Sequence, residues 1–229
     1  MTIDRQLFLH QLCDTQFPTG AFSQSFGFEY DVNNDKIKTA ADFGKWLKVY
    51  LNQQLVYCEG LASRLIYEAP EEKFESTLIS WSDALYAQIV PEEIRYGNSQ
   101  MGKQFLKLVC QLVPDAGLQT YRSLVQDKTI LPHPAIVFGL TCKALDFSVA
   151  DMLRNYYYMS LYNLVQNAVR GIPIGQTSGQ KLILSLHGTI SDAMATTLSL
   201  NATDFGRTSP GLEIAQMKHH FLYSRSFMS

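Results

Sequence analysis

Ala168-Val169-Arg170-Gly171-Ile172-Pro173-Ile174-Gly175-Gln176-Thr177-Ser178-Gly179-Gln180 is the stretch on which the reading of this chain turns. A helical pattern carrying Met152, Leu153, Tyr156, Met159, Leu161, Leu164 and Val165 runs into it, and the apolar Leu182-Ile183-Leu184-Ser185-Leu186 runs out of it. Pro173 has no N–H with which to continue the first helix, and its ring clashes with the preceding turn, so the break is firm. Gly175 and Gly179 then fall four residues apart on one face of the new helix, where a glycine costs about 1 kcal/mol relative to alanine. A cost of that kind points to the close approach of another backbone, either within the chain or from a second chain. In the second case Gln176, Thr177, Ser178 and Gln180 supply the directional hydrogen bonds of a polar seam.

Working outward from this break, every strong pattern is helical. Leu7, Phe8 and Leu12 give a short first helix ending near Asp14, and a second helix is expected close to Ala21, after the turn marked by Pro18 and Gly20. Thr39-Ala40-Ala41-Asp42 resembles a capping box and opens a long helix reaching about Glu68. Pro70-Glu71-Glu72 and Pro91-Glu92-Glu93 each place proline at a helix start and acids in the first turn, where the macrodipole favours them. Shorter helices follow from Leu118 to Asp127 and from His133-Pro134 to Leu145, and Ser148 caps the helix that runs to the break. Asn201 to Ser209 shows no periodicity and is expected to be a mobile connection; Leu212 to Met228 regains helical spacing with apolar residues on several sides. No run alternates with period two and no Asn-Gly or Asp-Gly hairpin signal occurs. The expected fold is all-α: a single-domain bundle of nine or ten helices over residues 1–200, followed by a flexible link and a C-terminal partner-binding helix over 201–229.

Composition narrows the class of function. Lys and Arg number 19 against 21 Asp and Glu, so a net charge of −2 provides no field to hold nucleic acid or an anionic membrane. Charged residues make up 17% of the chain, below the average of about 25% for soluble domains, and a surface so poor in charge is expected to be partly covered by partners. Cys13, Cys58, Cys110 and Cys142 form no C-x-x-C pair and, with no signal peptide evident, read as reduced thiols of a cytoplasmic protein. No run approaches the roughly 18 apolar residues of a membrane span.

Catalytic patterns are weak. Gly97-Asn98-Ser99-Gln100-Met101-Gly102-Lys103-Gln104 is one residue from a phosphate-binding loop, but that loop needs a buried strand before it and a Ser or Thr after the lysine. It leaves a weak NTPase or a cofactor-free helical enzyme as the alternative function. His219 and His220 are adjacent, point about 100° apart on a helix, and read as solvated cations at a helix end rather than as a chelating pair. No nucleophile–base signature occurs, so no catalytic, cofactor-binding or metal residue is assigned. Tyr156-Tyr157-Tyr158 covers most of a helix circumference, and at least one of the rings suits an inter-chain contact.

Taken together, several segments resemble one family. Phe17-Pro18-Thr19-Gly20-Ala21-Phe22-Ser23-Gln24-Ser25-Phe26-Gly27-Phe28-Glu29 resembles the P-x-G-A-F-S-x-S-x-G-x-E stretch of the urease accessory protein UreF family. Arg170 to Gln180 resembles its R-x-x-P-L-G-Q-T-A-G-Q signature, with Ile174 for Leu and Ser178 for Ala. Glu93-Ile94-Arg95, His133-Pro134, Leu212 to His219 and Tyr223-Ser224-Arg225 fall where that family has similar groups, while His220, Ser226 and Met228 depart from it. The resemblance implies a non-catalytic, dimerising adaptor between a UreD/UreH-type protein, which contacts apo-urease, and the UreG GTPase. Nickel is then handled by the assembly and GTP bound by the partner GTPase, with no cofactor held permanently here. The expected partner contacts are Ser23, Ser25 and Glu29, the seam from Arg170 through Gln176, Thr177, Ser178 and Gln180, and Tyr223 and Arg225 in a tail that orders against another surface.

Overall fold

The structure is a computed structural model describing residues 3–229, and among these every regular element is helical. The first two helices are α1 (Arg5–Cys13) and α2 (Phe28–Asn33). Then Ala40–Val49, a π-helical Tyr50–Gly60 and Leu61–Tyr67 join end to end into one rod, α3. The rest are α4 (Phe74–Gln88), α5 (Glu92–Leu112), α6 (Ala116–Gln126), α7 (Pro134–Ala144), α8 (Val149–Gly171), α9 (Gln176–Ser185), α10 (His187–Ser199) and α11 (Pro210–His219). Counting the rod once, there are eleven helices, against the nine or ten read from the pattern.

The starts are set by local chemistry. Thr39 accepts the Asp42 N–H at 3.2 Å and Ser148 accepts the Asp151 N–H at 3.0 Å, and each serves as an N-cap. His133 caps α7 through Nδ1, with Pro134 in the first turn. Between Pro134 and Cys142 every α7 residue is buried, so this helix is apolar all round and sits in the centre of the bundle. It packs on α3, α5, α6 and α8.

Close helix approach explains the glycines. A Cβ at Gly102 would lie 2.7 Å from the backbone of Pro132 and His133, and one at Gly97 2.8 Å from Gln24 Oε1. Both glycines of the near phosphate-binding run therefore lie inside α5, where the backbone N–H groups belong to the helix ladder and form no cradle. The glycines at the break divide. A Cβ at Gly179 would meet Val169 at 2.9 Å, which is packing within the chain, whereas Gly175 has open space around it.

Three segments depart from the sequence pattern. At Ala21 there is a single 3-10 turn, Ala21–Ser23, and the helix starts only at Phe28. Gly20, Phe26 and Gly27 all take positive φ, which interrupts a right-handed helix. Residues 201–209 lack periodicity because they run over α3 and α4 by single contacts. A capping box joins Asn201 and Asp204, Phe205 meets Trp81 edge-on at 5.1 Å, and the Gly206 N–H reaches the Tyr57 carbonyl at 3.2 Å. Beyond His219 the chain leaves the helix and folds back over α2 and the Ala21 turn.

Gly102→Ala should lower unfolding free energy in urea by about 1–3 kcal/mol, because the neighbour it meets is rigid backbone. Gly188→Ala, in α10 with nothing within 4 Å of its Cβ, should raise it by roughly 0.5–1 kcal/mol.

Candidate functional site

The C-terminal residues and the Phe17–Glu29 segment make one structure. The Met228 N–H donates to the Ser23 carbonyl at 2.8 Å, and the Ser25 N–H to the Ser229 carbonyl at 2.7 Å. The Ser25 hydroxyl donates to that same carbonyl, and Ser229 Oγ to Gln24 Oε1 at 2.6 Å. Phe227 then inserts edge-on against Phe28 at 5.2 Å, and Phe28 in turn meets Phe43 of α3 at 5.2 Å. Gln216 of α11 donates to the Phe26 carbonyl at 3.2 Å and lies over Gly27, where a Cβ would come within 2.8 Å of its side chain. Glycine at 27 serves both its positive φ and this approach.

His219 is the centre of the site. Its stripe on α11, Leu212, Ala215, Gln216 and His219, is the buried face of that helix, so the ring points inward and is wholly buried. Nε2 is 2.8 Å from Glu29 Oε2 and Nδ1 is 2.8 Å from Glu93 Oε2. Only an imidazolium donates from both nitrogens, so the geometry is that of a cation between two carboxylates. Burial alone pushes the His219 pKa down, but hydrogen bonds and charge from Glu29 and Glu93 outweigh it and leave the ring above its ordinary value. Burial likewise works to raise Glu29, and is overcome by His219 and by the N–H groups of Ser226 and Phe227, at 2.6 and 3.2 Å. Glu93 ends below the usual carboxylate range because His219, His220 and Arg225 together outweigh its desolvation. With both ring nitrogens engaged, His219 has no lone pair to offer an ion. Among the described residues no group of three His, Cys, Asp or Glu is arranged to hold a metal.

The C-terminal end of α8 supports the same assembly. Asn167 donates to the carbonyls of Ala21 and Gln24 at 2.9 and 2.8 Å, and Arg170 donates to the Phe22 carbonyl and to Asn167 Oδ1. A Cβ on Gly171 would lie 3.0 Å from the Phe227 ring.

Ser23, Ser25, Glu29, Arg170 and Arg225 are thus brought together, with Arg225 Nη1 2.6 Å from Glu93 Oε1. Tyr223 stands fully in solvent beside them in sequence. Gln176, Thr177, Ser178 and Gln180 are exposed on α9, which packs on α8, α10 and the first part of α3 rather than joining the tail. The reading of His219 as a solvated helix-end cation is corrected; Glu93 does sit in the first turn of α5, as read, and in addition holds the His219 ring. His219 is the buried centre of the clamp and Glu93 one of its half-buried ends, and the signal was the spacing of His219 from Leu212 and Ala215. Asn167 and Gln216 were also missed, since an amide on an apolar stripe announces no partner.

Between this assembly and α5 lies an open groove of about 1010 Å³, bordered by Phe22, Tyr96, Lys103, Lys107, Arg225 and Met228. Phe22, Tyr96 and Met228 are exposed along it, and Phe221 and Tyr223 are exposed on the tail. A surface of this kind suits recognition of a macromolecule.

The family model UreF matches residues 37–187. The urease accessory protein UreF of Lachnoclostridium phytofermentans is 44% identical over 221 residues, covering 96% of this chain and 97% of that protein. The chain belongs to the UreF family. The urease accessory protein UreF of Bacillus sp. (strain TB-90) is 40% identical over 227 residues, covering 99% of this chain and all of that protein. Membership places this UreF-family chain in urease maturation, as an accessory protein. Among its described residues no helix is long and apolar enough to cross a membrane.

The clamp has a defined pH window. The raised His219 pKa contributes stability that is complete below the ordinary value of 6.5 and is lost as pH rises through the folded-state value. The lowered Glu29 and Glu93 contribute above 4.5 and lose their share as pH falls through their folded-state values. Urea unfolding across this range should show both limbs. His219→Ala should remove the alkaline limb and cost about 3 kcal/mol near pH 6, because two carboxylates lose their buried partner.

Proposed function

We propose that this UreF-family chain is a non-catalytic adaptor, joining a UreD/UreH-type protein to the UreG GTPase during GTP-dependent nickel insertion into apo-urease. The observation that carries this reading is the pairing of an inwardly latched tail with outward-facing aromatic groups. The Glu29–His219–Glu93 clamp and the Phe227 anchor fix the tail, while Phe22, Tyr96, Phe221 and Tyr223 remain available. Pre-ordering of this sort reduces the entropy cost of association. Tyrosine, here Tyr96 and Tyr223, is among the residue types most enriched at binding hot spots, and phenylalanine is enriched across interfaces.

An adaptor needs a second surface, and α9 supplies one. Gln176, Thr177, Ser178 and Gln180 line its exposed side, and Leu184 is 65% exposed. Tyr158 and Tyr162 of α8, stacked at 5.5 Å, lie beside it, with Gln180 Nε2 3.5 Å from the Tyr162 hydroxyl. We assign this face to self-association, in keeping with the expected homodimer. In this reading nickel is cargo, GTP belongs to the partner GTPase, whose hydrolysis the adaptor modulates, and the work takes place in the cytoplasm without nucleic acid or membrane.

Calorimetry with a purified UreD/UreH-type protein tests the tail. Tyr223→Ala should weaken binding at least tenfold, about 1.4 kcal/mol, with the melting temperature unchanged because the ring packs on nothing; unaltered affinity would remove the tail from the interface. On α9, Leu184→Glu should shift the mass measured by light scattering toward the monomer while leaving UreD/UreH-type binding in place. A variant that self-associates like the parent refutes that assignment.

A further inference from the structure

The interior holds a polar feature that borders the tail assembly but whose unpaired groups, on Glu59, Asn98 and His133, serve neither the clamp nor the α9 face. Glu59, in the π-helical part of α3, is almost wholly buried. Gln54 Nε2 donates to its Oε1 at 2.9 Å, while Oε2 has no hydrogen-bond partner. A π-helical register bonds i to i+5, is rare, and is found frequently at functional sites. Glu59 lines a cavity of about 50 Å³ together with Tyr50, Asn98, Tyr156, Asn163 and Asn167.

Asn98 of α5 borders this cavity and also a second one of about 10 Å³, which it shares with His133 and Ser99. Its Nδ2 is buried without a partner, and so is His133 Nε2. His133 Nδ1 accepts the Ala135 N–H at 3.2 Å, so the neutral ring carries its proton on Nε2. Burial depresses this imidazole to about 3, which keeps it neutral at any ordinary pH. Two residues that each carry an unpartnered N–H thus line a space the size of one water molecule. Native interiors almost always give such buried polar atoms a partner, from the protein or from ordered water.

We propose that the chain contains two structural hydration sites on either side of Asn98: a cluster of ordered waters hydrogen-bonded to Glu59 Oε2, and a single water accepting from Asn98 Nδ2 and His133 Nε2. The volumes agree, since one water needs about 10–15 Å³ of such space and two to four polar partners. The larger cavity has room for about three waters by the same measure. Burial lifts the Glu59 carboxyl above its usual range against the pull of the Gln54 amide. Asn167, which fixes the Ala21 and Gln24 carbonyls, lines the same cavity, so the waters sit directly beneath the Ala21 turn.

Water relaxation dispersion on the full wild-type chain, with a high-resolution crystal structure to place the solvent, tests the proposal. The expected result is long-lived internal water in solution and ordered density within hydrogen-bond reach of Glu59 Oε2 and between Asn98 and His133. Asn98→Leu should lose the water on His133 while the Glu59 cluster persists. Dry cavities in the wild-type chain overturn the proposal, as does an unchanged water between residues 98 and 133 in a folded Asn98→Leu chain. Neither measurement depends on a urease partner, so the outcome is independent of the adaptor reading.

Discussion

One buried cation between two carboxylates organises the functional end of this molecule. His219 arrives on α11, Glu29 on α2 and Glu93 on α5, so three elements far apart in sequence meet at one ring. In low-dielectric surroundings each partner alone is costly, and the arrangement stands because all three are present with their remaining hydrogen bonds satisfied. Glu29 spends its other lone pairs on the Ser226 and Phe227 N–H groups, and Glu93 on His220 and Arg225. The charge pair thereby turns the extended tail into a fixed strap.

That strap has consequences for the surface. With Phe227 buried against Phe28 and the Ser229 carbonyl held by Ser25, the large apolar side chains of the tail left facing water are Phe221, Tyr223 and Met228, next to Phe22 and Tyr96. The inward half of the tail is satisfied by its own chain and the outward half is not.

Much of the helical framework was legible because it is written locally. Thr39, Ser148 and the prolines at 91 and 134 act within a turn of their own position, and the apolar spacing of Phe43, Leu47, Leu51 and Leu55 needs no distant partner to be read. The polar set Ser23, Ser25 and Glu29 stood out as small and acidic groups among phenylalanines, and the fold does gather it with Arg170 and Arg225. Less visible were residues whose meaning depends on what lies opposite. Asn167 and Gln216 look like ordinary helix amides until their acceptors, the carbonyls of Ala21, Gln24 and Phe26, are in place.

By itself, the sequence determined the all-helical class, the firm break at Pro173 and the family, since periodicity, proline chemistry and ordered motifs are properties of neighbouring residues. Only the tertiary structure decided that Gly179 packs within the chain while Gly175 faces open space, that α3 passes through a π register, and that the tail closes on Glu29 and Glu93. The tail closure spans more than a hundred residues, and Gly179 packs across the break onto the preceding helix, so in both the free energy of contact depends on which groups the fold brings face to face.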